Sequence, residues 1–338
     1  MMNPFFIFWS LFDMVFLIIG CYDRINEYKG GHIMNRNQTI VLKNKDLEVT
    51  ILTYGASIFD IRYNHEGNMR QVLSTSKDIE TFLIDDLNKG RLIGRTAGKT
   101  FYEVVKEDAC YHGVTTDFSH GGKSGFNKQF FDVLSVKEDE VTLGFLELEK
   151  DGFYQGDFEV KVTYKLDGSR LIIIVEGHST KDTYANITTH PYFNLSGEKD
   201  IMNHYLMVPS KTHVRRSNEH KTGKRFEVKR GFDDFREETC LKDTLKNEVL
   251  DHVYEVKENS IQATLRAGGI KLSVSSSYPA IVIFSQNRDS IYPLSNNHTL
   301  NNIHGGLAIE PQYVQADVPL LKKGDKYHHE MTFHFESI

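Results

Sequence analysis

The stretch Thr189-His190-Pro191-Tyr192-Phe193-Asn194-Leu195-Ser196-Gly197 sets a histidine among aromatic and amide neighbours. An imidazole has a reference pKa of about 6.5, so near neutral pH it can give or take a proton. A second stretch, LAIEPQYVQADV, sets Glu310 between Ile309 and Pro311 with Gln312 two residues on. A carboxylate with a reference pKa of about 4.3 is ionised at neutral pH and suits the role of a base. A third, SHGGKSGFNKQFFDV, carries His120. A lone histidine is more often satisfied inside a core than catalytic, so the weight lies on the company these residues keep. A proton donor, a base candidate and a second histidine together are equipped for general acid–base chemistry.

These residues must be carried by strands. LIIIVEGHST followed by KDTYANIT is dense in β-branched residues and predicts that His190 is presented by a sheet. If Ala308, Glu310 and Gln312 lie on a strand, period-two geometry puts carboxylate and amide on one face. Read in order, HGG-x-x-GF, DG-x-x-x-G at Asp151 to Gly156, H-x-YFNL, DH at Asp251-His252 and E-x-Q span nearly the whole chain. Each motif is short, but the ordered set, from about Gln38 to Phe335, resembles the aldose 1-epimerases, also called galactose mutarotases.

The resemblance implies a large antiparallel β-sandwich of the galactose mutarotase type with a cleft across one sheet. It implies interconversion of the α and β anomers of an aldose such as galactose or glucose, with no cofactor and no metal. Glu310 would be the base on the anomeric hydroxyl, His190 the acid on the ring oxygen, and His120 a hydrogen-bond partner or second donor beside it. Arg95, Lys99, Tyr192, Asp251 and Gln312 would hold the sugar. At Gly94 to Lys99 the chain reads GR-x-A-x-K where the family has GR-x-AN-R. A lysine keeps the charge but loses the planar fork of arginine, so Arg95 is expected to share the hydroxyl contact. The loop Asp151 to Gly156 would close one side of the cleft.

Composition sets the outer limits. With 338 residues, 40% of them hydrophobic, the chain can bury a large core. A net charge of −6 with interspersed signs offers no basic stripe for a phosphate backbone, which argues against nucleic acid and favours a neutral small molecule. Three widely spaced cysteines, Cys21, Cys110 and Cys240, point away from a disulfide framework or a zinc ribbon and toward the cytoplasm. The histidines show no ligand spacing such as His-Glu-x-x-His. The apolar run Phe5 to Cys21 is short of the ~20 residues of a membrane helix and contains Asp13, so no stable membrane association is expected. Lys29-Gly30-Gly31 can be encoded by a ribosome-binding sequence a short spacer before Met34. Residues 1–33 are therefore read as a non-native leader, and 34–338 as a single domain. The alternative is a lipoprotein signal ending in Ile18-Ile19-Gly20-Cys21, with a lipid anchor at Cys21, although the leader lacks a positive n-region.

Along the rest of the chain strands dominate. Leu47, Val49, Ile51, Tyr54, Ile58, Ile61 and Tyr63 predict a meander with a turn at Asn44-Lys45-Asp46, and Asp78 to Asn88 a short helical or irregular piece. Gly94 to Thr100 nearly spells a phosphate-binding loop, but three residues separate Gly94 and Gly98 where four are required. Val160, Val162 and Tyr164 alternate with Glu159, Lys161 and Thr163, and Leu166-Asp167-Gly168-Ser169 predicts a tight hairpin. His204 to Asp251 reads as charged loop anchored by Phe226, Phe232 and Phe235, and His328-His329 as a solvated turn. The sum is an all-β chain. Two other functions fit such a chain: a carbohydrate-binding module without catalysis, and a phosphosugar epimerase using Arg215-Arg216.

Overall fold

Alternation of apolar and polar side chains builds the largest sheet. In Phe158–Asp167 the residues Phe158, Val160, Val162 and Tyr164 are buried while Lys161 and Lys165 are exposed. Arg170–Ser179 pairs with it antiparallel in unbroken register, from Phe158 opposite Ser179 to Asp167 opposite Arg170. Gly168 and Ser169 form the expected turn, with Gly168 in the left-handed region at φ 57°. The structure is a computed structural model that describes residues 36–98, 105–106, 109–110, 119–215, 223–289 and 303–338. The leader with Trp9 and Cys21, Met34, Lys99 and Arg216 lie outside the described residues, as does the side chain of Arg215.

Nine strands lie side by side in the order Thr239–Cys240, Tyr205–Met207, Ser260–Ala267, Ile270–Ser276, Tyr327–Ser337, Arg170–Ser179, Phe158–Asp167, Glu140–Glu147 and Asp132–Val136. A six-stranded sheet runs Tyr192–Phe193, Leu307–Gln312, Ala280–Phe284, Asp251–Glu255, Thr212–Arg215 and Phe226–Glu227. The expected meander is a third sheet, Thr39–Lys43, Leu47–Leu52, Ser57–His65 and Asn68–Gln71, whose first turn is held by the Asn44 carboxamide oxygen accepting from the amides of Asp46 and Leu47. One apolar core joins all three: Val160 and Ile173 from the first, Ile283 and Ile309 from the second, Val49 and Ile61 from the third. The expectation of a large antiparallel β-sandwich is met.

The six-stranded sheet is covered on both faces. Leu307–Gln312 is buried at every position. Leu307 and Ile309 enter the shared core, so Ala308, Glu310 and Gln312 face the other way. On that second face Val214, Val253, Ala280 and Val282 make a separate apolar layer. Asp78 caps the helix Ile79–Ile84 by accepting from the Thr81 amide at 2.8 Å. At its other end the Arg91 guanidinium donates to the carbonyls of Phe82, Leu83 and Asp85. Among the described residues no helix is long and apolar enough to cross a membrane.

Two expectations are corrected. The segment from His204 to Asp251 is not all loop, since Thr212–Arg215, Phe226–Glu227 and Thr239–Cys240 are strands and Leu241–Leu245 is a helix. Strands of two to four residues are too short for alternation to register. His328 is exposed as expected, but His329 belongs to the strand Tyr327–Ser337 and is buried, its ring stacked on Tyr278 at 3.8 Å. Period two explains the split, because neighbours on one strand face opposite sides.

Two buried histidines make this fold sensitive to acid. His204 has no exposed surface, accepts from the Leu195 amide through Nε2 at 2.9 Å, and is pushed down to about 4 by burial. Burial also lowers His329 to about 4. Between an unfolded pKa of about 6.5 and the folded value, the unfolded chain takes up protons that the folded chain refuses. The contribution is complete above pH ~6.5 and is lost as pH falls toward 4, at about 3 kcal/mol for His204. Urea unfolding at pH 7.5 and pH 4.5 should therefore show a large acid-side loss, reduced in His204→Gln. An equal loss in that variant counts against His204 as a source.

Candidate active site

The register of the six-stranded sheet assembles the site. Glu310 lies opposite Val282 on one side, and Ala308 lies opposite Tyr192 on the other. Tyr192 thus shares a face with Glu310, and His190 enters two residues before it. The His190 amide donates to the Arg91 carbonyl at 3.1 Å, and its own carbonyl accepts from the Gly90 amide at 2.8 Å. So anchored, its Nε2 stands 3.3 Å from Oε1 of Glu310, with the two side chains 6% and 1% exposed. Gln312 Nε2 donates to Glu310 Oε2 at 3.5 Å, and Gln315 donates to Gln312 Oε1 at 3.0 Å. The carboxylate is flanked by an imidazole and an amide on an otherwise apolar strand.

His120 reaches the same place through the conformation of its motif. His120, Gly121 and Gly122 are three successive left-handed residues, with φ of 56°, 81° and 72°. A Cβ on Gly121 would come within 1.9 Å of the Gly94 carbonyl oxygen, so no other residue fits there. His120 Nδ1 accepts from the Gly98 amide at 3.3 Å, which leaves the proton of the neutral ring on Nε2. The ring lies edge-on to His190 with centroids 5.8 Å apart. The structure therefore brings together His190, Glu310 and His120.

The expected sugar-binding residues divide. Asp251 opens the strand Asp251–Glu255 opposite Phe284, whose ring packs on those of His190 at 6.3 Å and Tyr192 at 6.2 Å, so its carboxylate belongs to the same face. The Tyr192 hydroxyl donates to the Leu87 carbonyl at 3.2 Å, and its ring packs on His190 at 4.9 Å. Burial, then the charge of Glu310, raises the Tyr192 pKa well above its ordinary value, so the phenol stays protonated. Tyr192 thus packs on His190, and Gln312 donates to Glu310. Arg95 is a correction. It is fully buried between the rings of Tyr154 and Phe158, pairs with Glu147 at 2.8 Å, and donates to Thr183 and to the carbonyls of Gln155 and Gly156. Its guanidinium fastens the loop Asp151 to Gly156 instead of reaching into the cleft. Lys99, the remaining cation of that motif, is outside the described residues.

Other residues of the site escaped the sequence. Lys89 and Asp85 form a buried ion pair at 3.3 Å, and burial lowers the lysine pKa against the opposing pull of Asp85. Their segment carries the Leu87 carbonyl that holds Tyr192 and the Gly90 amide that holds His190. The spacing of the two charges was legible, but their burial was not. On the far face of the sheet His213, Asp233 and His252 converge, with all three donor atoms within 4.8 Å of one another. Among the described residues this is the group whose composition suits a metal ion.

The geometry can be set beside known proteins. The profile of the aldose 1-epimerase family matches residues 38–334. Galactose mutarotase of Mus musculus is 26% identical over 338 residues, covering 90% of this chain and 95% of that protein. Aldose 1-epimerase of Streptococcus thermophilus is 26% identical over 322 residues, covering 86% and 92%. Among solved structures, an aldose epimerase homologue from C. elegans superposes with a TM-score of 0.82 at 24% identity, covering 89% of this chain and 99% of that one. With the profile spanning nearly all of the β-sandwich, including His120, His190 and Glu310, the chain belongs to the aldose 1-epimerase family of isomerases.

Proposed function

We propose that this protein interconverts the α and β anomers of a free hexose such as galactose or glucose. The observation that carries the proposal is the buried contact of His190 with Glu310 at 3.3 Å, with His120 edge-on beside it. Glu310 takes the proton of the anomeric hydroxyl while His190 gives one to the ring oxygen, and the C1–O5 bond breaks to leave an aldehyde and a hydroxyl. Rotation about C1–C2 presents the other face of the aldehyde. On reclosure His190 recovers its proton from the hydroxyl that attacks, and Glu310 returns its own to the new anomeric oxygen. Both groups end as they began. A positioned acid or base contributes about 10²–10⁴-fold, so the pair supplies roughly 5–11 kcal/mol if the effects multiply.

His120, a donor at Nε2, steadies the ring oxygen as charge shifts there. Asp251 accepts from sugar hydroxyls, a task that suits a two-oxygen acceptor. With Arg95 held in the scaffold, Lys99 is left as the cation of its motif to meet the sugar. The acid–base pair favours an enzyme over a binding module. The functional unit in this reading is one domain from residue 34 onward. It works in the cytoplasm on a small neutral sugar, without nucleic acid, membrane or cofactor.

Two measurements test the reading. In polarimetry of fresh α-glucose or α-galactose, Glu310→Gln and His190→Gln should each slow mutarotation at saturating sugar by about 10²-fold or more with the circular dichroism unchanged. Near-normal turnover in either variant removes that residue from its role. Lys99→Ala should raise KM while Lys99→Arg holds or lowers it. An unchanged KM in the alanine variant means that Lys99 does not touch the sugar.

A further inference from the structure

The residues on the strand Asp251–Glu255 alternate between two environments. Asp251 lies opposite Phe284, on the face of Glu310, whereas His252 lies opposite Ile283, which belongs to the central core. His252 is buried, and its Nδ1 accepts the backbone N–H of Asp251 at 3.2 Å. An imidazole nitrogen that accepts carries no proton, so the hydrogen of His252 sits on Nε2. Nε2 lies 3.8 Å from Oδ2 of Asp233, and His213 Nε2 approaches the same oxygen at 3.3 Å. Asp233 is itself fixed, since its carbonyl accepts from the Tyr254 hydroxyl at 3.0 Å, and Tyr254 stands two residues along the same strand. Next to it the Phe232 carbonyl accepts from Thr244 at 2.9 Å.

We propose that His252 and Asp233 are positioning residues that brace Asp251 through the sheet from behind and so set its carboxylate against the sugar hydroxyls. The chain of contacts runs from the backbone amide of Asp251 to the His252 ring, from that ring to the Asp233 carboxylate, and from Asp233 to His213 and back to the strand through Tyr254. Asp251 opens its strand, next to Leu250, whose carbonyl accepts from the Ser285 amide at 3.1 Å. The His252 ring ties that terminus down on the side away from the sugar. A metal centre is the other use of two histidines and a carboxylate. The proton on His252 Nε2 argues against it, because Nε2 is the atom that would have to coordinate.

The proposal rests on the reading of Asp251 as a sugar contact, so kinetics on Asp251→Ala come first. If that variant leaves KM unchanged, the reading of Asp251 fails. If it raises KM, His252→Phe, which keeps a ring but offers no acceptor, should raise KM about tenfold more than it lowers kcat. His252→Asn, whose amide oxygen takes the place of Nδ1, should lose less than the phenylalanine variant. Asp233→Asn, which barely alters volume, should raise KM in the same direction and covers the case in which His252→Phe does not fold. In the Asp251→Ala background the His252 and Asp233 substitutions should add less than about twofold, because the group they position is gone. Full additivity in that background, or a fall in kcat with KM intact, overturns the proposal in favour of a general structural role. Elemental analysis of protein purified without chelators, finding one equivalent of zinc that His213→Ala removes, overturns it in favour of a metal centre.

Discussion

The cleft depends on the register of the strand Leu307–Gln312. Every residue of that strand is buried, so a slip by one position would turn Glu310 into the aliphatic core and bring Ile309 to the cleft. An ionised carboxylate moved alone into such an interior costs several kcal/mol even after relaxation, and the strand could not tolerate it without partners. His190 and Gln312 are those partners, and both are delivered by pairing geometry: Tyr192 opposite Ala308 draws the His190 segment alongside, and the period of two sets Gln312 on the same face. The groups that make Glu310 tolerable are therefore the groups that make it useful.

A second buried charge organises the rim. Arg95 and Glu147 are 52 residues apart in sequence and meet at 2.8 Å with neither exposed by more than 2%. The guanidinium satisfies the carboxylate through Nε and the carbonyls of Gln155 and Gly156 through its two amino groups. Five donors in a rigid fork can serve a carboxylate and a loop at once, whereas a lysine at this position could not. Tyr154, from the same loop, packs on the guanidinium and hydrogen bonds to Thr96 at 2.5 Å. The motif that the sequence offered as a sugar contact thus has one of its cations, Arg95, built into the scaffold.

What the sequence showed and what it hid follow one physical line. Alternation reports burial of one face relative to the other, and it placed Val160, Val162 and Tyr164 inside and Glu310 with Gln312 on one side of a strand. Turn chemistry is local, and the hairpin at Gly168 and the Asn44 turn were both legible. Ion pairing is not local. Nothing in the neighbourhood of Arg95 announces Glu147, and an arginine in a polar motif reads as exposed until its partner is known. His329 was misread for a related reason, since a histidine pair in a charged stretch looks solvated although period two sends one of the pair inward onto Tyr278. Asp233 and His213 were invisible because the segment that carries them is charged and its strands are too short to alternate.

Burial alone does not separate His190 from His252. His190 and His252 are each 5% exposed, each faces a carboxylate through Nε2, and each packs among aromatic rings. The difference lies in the face of the sheet and in what stands next to the pair. Beside His190 is a second imidazole that carries a proton on Nε2, on the sheet face that Asp251 and Glu310 share. His252 also has a second imidazole nearby, His213 at 5.1 Å, but this pair lies among Phe232, Tyr254 and the core, and the second nitrogen of His252 is engaged by the backbone of Asp251. In the proposed function a sugar displaces contacts on the first face, where its hydroxyl groups replace the hydrogen bonds that its arrival breaks. On the second face any displacement would expose the core, so the same chemistry there can act only by holding the strand in place.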